Sequence, residues 1–265
     1  MDHTSGLRVS TLNLDHHPSE TERRLDAAAA EIARHRSDVV LLQEVVSFRE
    51  SNTATLLAQR TSMSVAVQSA LGNAVLTRLP AHDPTVVSLG GSDAALVLID
   101  NNCHRFLVGS THLSWGSGRE NARLSEAMVL DNWIAERAPL DPQRQAPEIY
   151  AVIGGDLNSE PDSATLRWLT GRDVHDRRST LWVDAWRAGS GPGYTSTATN
   201  PYAARTAGVV GITRPELLPS RRIDFLLTRG YAHGRVGSPL ETELLGHDPD
   251  RSFGDHYGVG ATLLC

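Results

Sequence analysis

The sequence predicts an α+β fold in which two β-sheets pack together with helices on their outer faces. Three observations point there. Strand-like segments outnumber helical ones; long amphipathic helices are expected only at 19–36 and 120–137; and no internal repeat or low-complexity linker divides the chain. A doubly wound parallel sheet would need a helix between most of its strands, and this chain does not alternate in that way. Residues 1–265 read as a single domain, with an irregular stretch around 188–221.

Taken in order, "LRVSTLNL" (7–14) alternates as a strand, with Leu7, Val9 and Thr11 on one side. "SETERRLDAAAAEIARHR" (19–36) reads as a helix with Leu25, Ala28, Ala29 and Ile32 as its apolar stripe. Ser19 with Glu22 three residues on has the spacing of a capping box. "DVVLLQEV" (38–45) is a continuous apolar run suited to a strand buried on both faces. "SVAVQSA" and "NAVLTR" flank a turn at Gly72–Asn73. "TVVSLG", "AALVLIDNN" and "HRFLVGSTHL" follow as strands, with a hairpin near Asn101–Asn102. "ENARLSEAMVLDNWIAER" (120–137) is the second long helix, and "EIYAVIGGDLN" is a strand. "DSATLRWLTG" is a short helix expected to start at Asp162 and stop at Gly171, so Glu160 and Asp162 read as helix-starting residues. "RRIDFLLTR" and "YGVGATLL" are late strands.

Composition narrows the function classes. The chain has 265 residues, 40% hydrophobic and 21% charged, with a net charge of -6. Proteins that grip long nucleic acid through its backbone usually carry a basic excess, and this chain has none overall. Its two cysteines, Cys103 and Cys265, form no metal or redox spacing and no disulfide framework. No apolar run approaches the ~20 residues that span a bilayer, and the N-terminus lacks a signal-peptide pattern, so a cytoplasmic location is expected. Nothing points to an obligate protein partner.

The informative feature is where the polar residues fall. The first strand ends at Asn13, with Asp15 after it, and the next buried strand ends at Gln43–Glu44. Another ends at His112, another at Asp156 and Asn158; Asp224 opens a late strand and Asp255–His256 precede the last. Singly, each is as readily a solvated edge, a turn or a buried ion pair. Strands of one sandwich deliver their ends to one rim, however, where function gathers on loops held by a rigid scaffold. Oxygen ligands such as Glu44 and Asp15 suit Mg²⁺, and no dense His/Cys cluster favours zinc. Carboxylates, amides and histidines together are the parts for attack of water on a phosphoester.

In order, "LNLD", "LLQE", "GNAVLTRLP", "STHL", "GGDLNSEPD", "RRIDFLL" and "GDHYGV" resemble the successive motifs of the endonuclease/exonuclease/phosphatase superfamily, across about residues 7–264. The resemblance implies a four-layer α/β/β/α sandwich of two mixed sheets, and a Mg²⁺-dependent phosphoesterase in which Mn²⁺ can substitute. It implies Glu44 as the main metal ligand, with Asn13 beside metal and phosphate and Asp255 near the metal. Asp15 matches a metal-side acid of some members only. Asp156 would orient or deprotonate water, and Asn158 would hold the phosphate. His256, partnered by Asp224, would contact the scissile phosphate, with His112 as a second histidine. Leu12 stands where members often have Trp, and Gly254 where Ser is common; neither change removes a reactive group.

The substrate is less legible. Trp115 and Arg119, just after His112, are rim candidates for substrate contact, as is Arg222. Tyr194, Tyr202, Arg205, Arg214 and Arg221 mark the 188–221 stretch, which would either stack a base and clamp a phosphate or pack on itself. Three readings remain: a nuclease-like phosphodiesterase acting on nucleic acid or a nucleotide; a phosphatase or diesterase for a small or lipid-derived phosphoester; and a non-catalytic phosphate-binding relative.

Overall fold

The computed structural model describes residues 6–48, 51–102, 104–140, 147–229 and 235–265. Among them, two six-stranded sheets carry the fold. Numbered along the chain, the first sheet runs β11 (Pro239–Leu245), β12 (Gly258–Leu263), β1 (Leu7–Asn13), β2 (Val39–Gln43), β4 (Ala74–Thr77), β3 (Ser64–Gln68). The second runs β5 (Ala81–Ser88), β6 (Asp93–Asn101), β7 (His104–Thr111), β8 (Ile149–Asp156), β10 (Asp224–Arg229), β9 (Trp182–Asp184). Each sheet is mixed, with one parallel pair: β1 with β2, and β7 with β8.

Three apolar layers hold the sandwich. Between the sheets, Leu7, Val9, Val39 and Leu41 meet Val97, Phe106, Val108, Val152 and Leu226. On the outer face of the first sheet, Leu12, Val40 and Leu42 pack under Leu25 and Ile32 of α1 (Thr21–His35) and Leu57 of α2 (Thr53–Thr61). On the outer face of the second, Leu96, Leu107 and Ile153 pack under Leu124, Leu130 and Ile134 of α3 (Glu120–Arg137) and Leu166 of α4 (Ala164–Leu169). This is the expected α/β/β/α order. The central strands are apolar on both faces because each face has a layer to meet: Val39 and Leu41 point inward, Val40 and Leu42 outward. No helix among the described residues is long and apolar enough to cross a membrane.

Local details depart from expectation. Ser19 does not cap α1: Glu20 takes that place in a left-handed conformation with no side-chain cap, while Ser19 Oγ accepts from Arg205 at 2.6 Å. Glu160 and Asp162 do not cap α4. Ser163 does, accepting from Leu166 N, while Glu160 pairs with Arg221 and Asp162 with Arg172. The 188–221 stretch is not wholly irregular, since it contains α5 (Ala203–Val209) around its own small core of Ala203, Ala207 and Leu218.

The two glycines of "GGD" are packing devices. A Cβ on Gly155, whose φ is +152°, would lie 1.7 Å from the carbonyl oxygen of Thr111, and one on Gly154 would lie 2.6 Å from Leu226 and 2.9 Å from Leu41. Their bareness lets β7 and the opposing sheet close onto the end of β8.

Candidate active site

Strand register brings the polar ends together. Asn13 lies opposite Gln43 in the parallel β1–β2 pair, so Asn13 and Glu44 leave the first sheet side by side. Val259 opposite Thr11 carries His256 to the same rim. In the second sheet Asp224 lies opposite Asp156, and the parallel β7–β8 pair delivers His112 next to them.

One amide joins the two sheets. Asn13 Nδ2 donates to Glu44 Oε1 at 3.0 Å and to Asp156 Oδ2 at 3.3 Å. Glu44 sits in a left-handed backbone conformation at φ 56°. Its other oxygen accepts from the backbone N–H of His16 at 2.9 Å and lies 2.5 Å from His16 Nδ1. Burial alone would raise the Glu44 pKa, but nearby His112, the Asn13 amide and the His16 contacts outweigh it and bring it to about 2. Glu44 is therefore a carboxylate at neutral pH. The Glu44 contact raises the pKa of His16 in turn.

Asp156 is the crossing point. Its Oδ2 faces Asn13 Nδ2, His112 Nε2 at 3.4 Å and His256 Nδ1 at 3.6 Å, while its Oδ1 accepts from Asn158 N at 2.8 Å. Burial and the Asp224 carboxylate push the Asp156 pKa up, and the two histidines only partly offset them. His256 is buried, which disfavours its charge, yet Asp224, Asp255 and Asp156 surround it and hold its pKa well above 6.5. His256 Nδ1 and Asp224 Oδ2 are 3.2 Å apart, an ionic contact in which neither carboxylate oxygen of Asp224 has a hydrogen-bond partner. Asn158, at φ 50°, donates its side-chain N–H to Leu113 O at 3.0 Å, while Leu113 N donates back to Asp156 O. The "DLN" turn is thereby stitched to the loop that carries His112.

The remaining candidates divide. Asp255 is held by the Thr206 hydroxyl at 2.8 Å, and its pKa is raised chiefly by burial, with Asp15 and Glu44 adding to it. Asp15 is committed elsewhere: Oδ1 accepts from His17 N, and Oδ2 faces Arg205 and, at 3.6 Å, Arg24. It faces two arginines while still lying in one group with His16 and Glu44. Arg222 is not brought to the site; it pairs with Asp184 at 2.7 Å and lies over Phe225 in the outer core. Trp115 and Arg119 are exposed on the loop after His112.

Sequence reasoning passed over Arg123 and Glu126 of α3. Both are buried. Glu126 accepts from Ser114 N and Oγ, and Arg123 donates to Ser114 O, Gly116 O and Ser159 Oγ. Their signal was present: Arg123, Glu126, Leu130 and Ile134 share the helical spacing of the face turned to the sheet. His16 was also passed over, as a lone histidine on an unassigned turn.

The donor set suits a hard divalent cation. One donor atom each from Asp15, His16 and Glu44 lies within 4.8 Å of the others, and the same holds for Asp156, Asp224 and His256. Of these, Glu44 combines an ionised carboxylate with a neighbour, His16, whose side chain is 74% exposed.

Comparisons with known proteins give the family and the fold. A family model described as Endonuclease/Exonuclease/phosphatase family matches residues 10–256. Among solved structures, TDP2 from D. rerio in complex with a single-strand DNA product superposes with a TM-score of 0.70 at 15% identity, covering 98% of this chain and 99% of that one. An endonuclease/exonuclease/phosphatase from Bacteroides vulgatus gives 0.71 at 17% identity, covering 97% and 98%. The human Nocturnin catalytic domain with bound sulfate gives 0.64 at 16% identity, covering 99% and 96%. No curated protein matches the sequence. With its family motifs gathered at one rim of the sandwich, the chain belongs to the endonuclease/exonuclease/phosphatase family.

Proposed function

We propose that this chain is a Mg²⁺-dependent phosphodiesterase that hydrolyses a nucleic-acid or nucleotide phosphodiester in the manner of a nuclease. One observation carries the reading: the Asn13 amide donates to the single oxygen Asp156 Oδ2 at 3.3 Å, and the ring nitrogens His112 Nε2 and His256 Nδ1 lie 3.4 and 3.6 Å from that same oxygen. A purely structural carboxylate has no need of two histidines from different strands.

Glu44, with Asn13 beside it and Asp255 behind, would hold Mg²⁺, or Mn²⁺ in its place. When bound, the ion supplies positive charge against the phosphate oxygens. Asp156 accepts the proton of the attacking water, and its raised pKa brings it closer to the working pH of a general base. His256, kept cationic by Asp224, stabilises the charge growing on the phosphate. His112 approaches the same phosphate from the second sheet. Asn158 keeps one amide N–H for Leu113 and has the other for a phosphate oxygen.

The test is a panel of plasmid DNA, single-stranded DNA, RNA, bis-p-nitrophenyl phosphate, p-nitrophenyl phosphate and inositol phosphates, each with Mg²⁺, Mn²⁺ or EDTA. Metal-dependent cleavage confined to diesters is the expected outcome. Release from monoesters alone would favour a phosphatase, and binding without turnover a non-catalytic relative.

A further inference from the structure

Among the described residues, free positive charge is scarce around Asp156. The chain has no lysine, so all 25 of its basic residues are arginines. On the loops that carry the site, Arg205 faces Asp15, Arg221 faces Glu160, Arg214 faces Glu216 and Arg251 faces Glu31 and Asp248. Arg119 is exposed and, among the described arginines of these loops, is the one without an acidic partner. A polyanion gripped along its backbone needs a row of unpaired cations, each displacing a counterion from a phosphate. One free arginine serves one further phosphate at most.

The rim offers an aromatic face instead. Trp115 is 66% exposed, three residues after His112. Its loop is pinned: Glu126 holds Ser114 N and Oγ at 2.9 and 2.5 Å, and Arg123 holds Ser114 O and Gly116 O, both at 3.0 Å. On the other side, Leu113 is bonded to Asp156 and Asn158. An indole displayed on fixed backbone can bind a planar group at little ordering cost.

Resting on the phosphodiesterase reading above, we infer that the substrate is a short, nucleotide-sized phosphodiester whose planar base stacks on Trp115 while its phosphate lies at Asp156, rather than a long nucleic acid held by its backbone. Arg119 then meets a neighbouring phosphate or ribose, and the net charge of -6 disfavours longer polyanions.

The experiment compares a thymidine dinucleotide with a strand of about 20 thymidines, using the full chain with Mg²⁺ from about 50 to about 300 mM salt. The expected result is kcat/KM per scissile bond within about threefold for the two, with a log–log salt slope no steeper than about -1. Trp115→Ala raises the dinucleotide KM about tenfold or more, the change falling on KM rather than kcat, and Trp115→Phe recovers most of the loss. A strand preferred more than about tenfold, with a slope of about -3 or steeper, overturns the inference in favour of long nucleic acid. An unchanged KM in Trp115→Ala overturns the stacking. Turnover of bis-p-nitrophenyl phosphate with neither nucleotide cleaved overturns the substrate class alone; no turnover of any diester overturns the underlying reading as well.

Discussion

Asp224 Oδ2 lies 3.2 Å from His256 Nδ1, and Asp224 has no hydrogen-bond partner for either carboxylate oxygen. A buried carboxylate so placed favours the cationic imidazole. Below pH 6.5 the imidazole is protonated in the folded and unfolded chain alike, so the stabilisation it draws from its carboxylates is complete there. That stabilisation is lost as pH rises through the elevated folded pKa. In kcat/KM the same pair is expected to set the basic limb, and Asp156 an acid limb above the ordinary aspartate value of 3.8. Asp224→Asn is expected to bring the basic limb back toward 6.5, followed by a pH–rate profile and by NMR titration of His256; a limb that stays in place would show that Asp224 does not set it.

Glu44→Gln removes the ionised carboxylate while keeping the shape. Turnover is expected to fall by ~10² or more, with calorimetric Mg²⁺ binding lost. The fold is expected to persist, since the amide oxygen still accepts from Asn13 or from His16 N and only one of the two bonds is lost. Full activity in this variant would rule out Glu44 as the metal ligand.

Gly155→Ala places a Cβ 1.7 Å from a backbone carbonyl oxygen, where no side chain can yield. The loss of stability is expected to be at least ~3 kcal/mol, among the large effects of single substitutions. Urea denaturation reads it directly, and a change below ~1 kcal/mol would mean that β7 and β8 are not held this closely.

Arg205 ties α5 to the site by facing Asp15 and lying 4.2 Å over the Tyr202 ring. Arg205→Ala is expected to speed limited proteolysis within 203–217 severalfold while leaving the two sheets intact. Unchanged cleavage kinetics would show that the segment is held by its small apolar core instead.

Arg222→Gln checks the residue that the structure withdraws from the site. Loss of the Asp184 pair and the Phe225 contact is expected to cost ~1–2 kcal/mol in stability. It is expected to leave kcat/KM within about threefold, and a larger fall in kcat/KM with stability preserved would return Arg222 to the substrate surface.

Reading the sequence worked best where one physical signal dominated. The helix expected at 120–137 forms over Glu120–Arg137, because its spacing of buried positions continues for its full length. The buried run at 38–45 forms β2 because both of its faces meet an apolar layer. Strand β11 (Pro239–Leu245) was not expected, since it lies at a sheet edge with exposed, charged positions and little alternation. Helix α2 (Thr53–Thr61) is short and rich in threonine, so its propensity is low and packing on the first sheet decides it.

By itself the sequence determined the sandwich and the residue types at its strand ends: Asn13, Glu44, His112, Asp156, Asn158, Asp224 and His256. Apolar periodicity and the order of polar strand ends are local properties of a chain. Tertiary structure alone decided which of those side chains meet. Asn13 bridging Glu44 and Asp156, Arg222 turning to Asp184, Asp15 taken by Arg205, and Glu126 bracing the Trp115 loop all depend on strand register and on partners far away in sequence. A buried charge takes the partner that the packed sheets bring within reach, and that distance is written in no single stretch of residues.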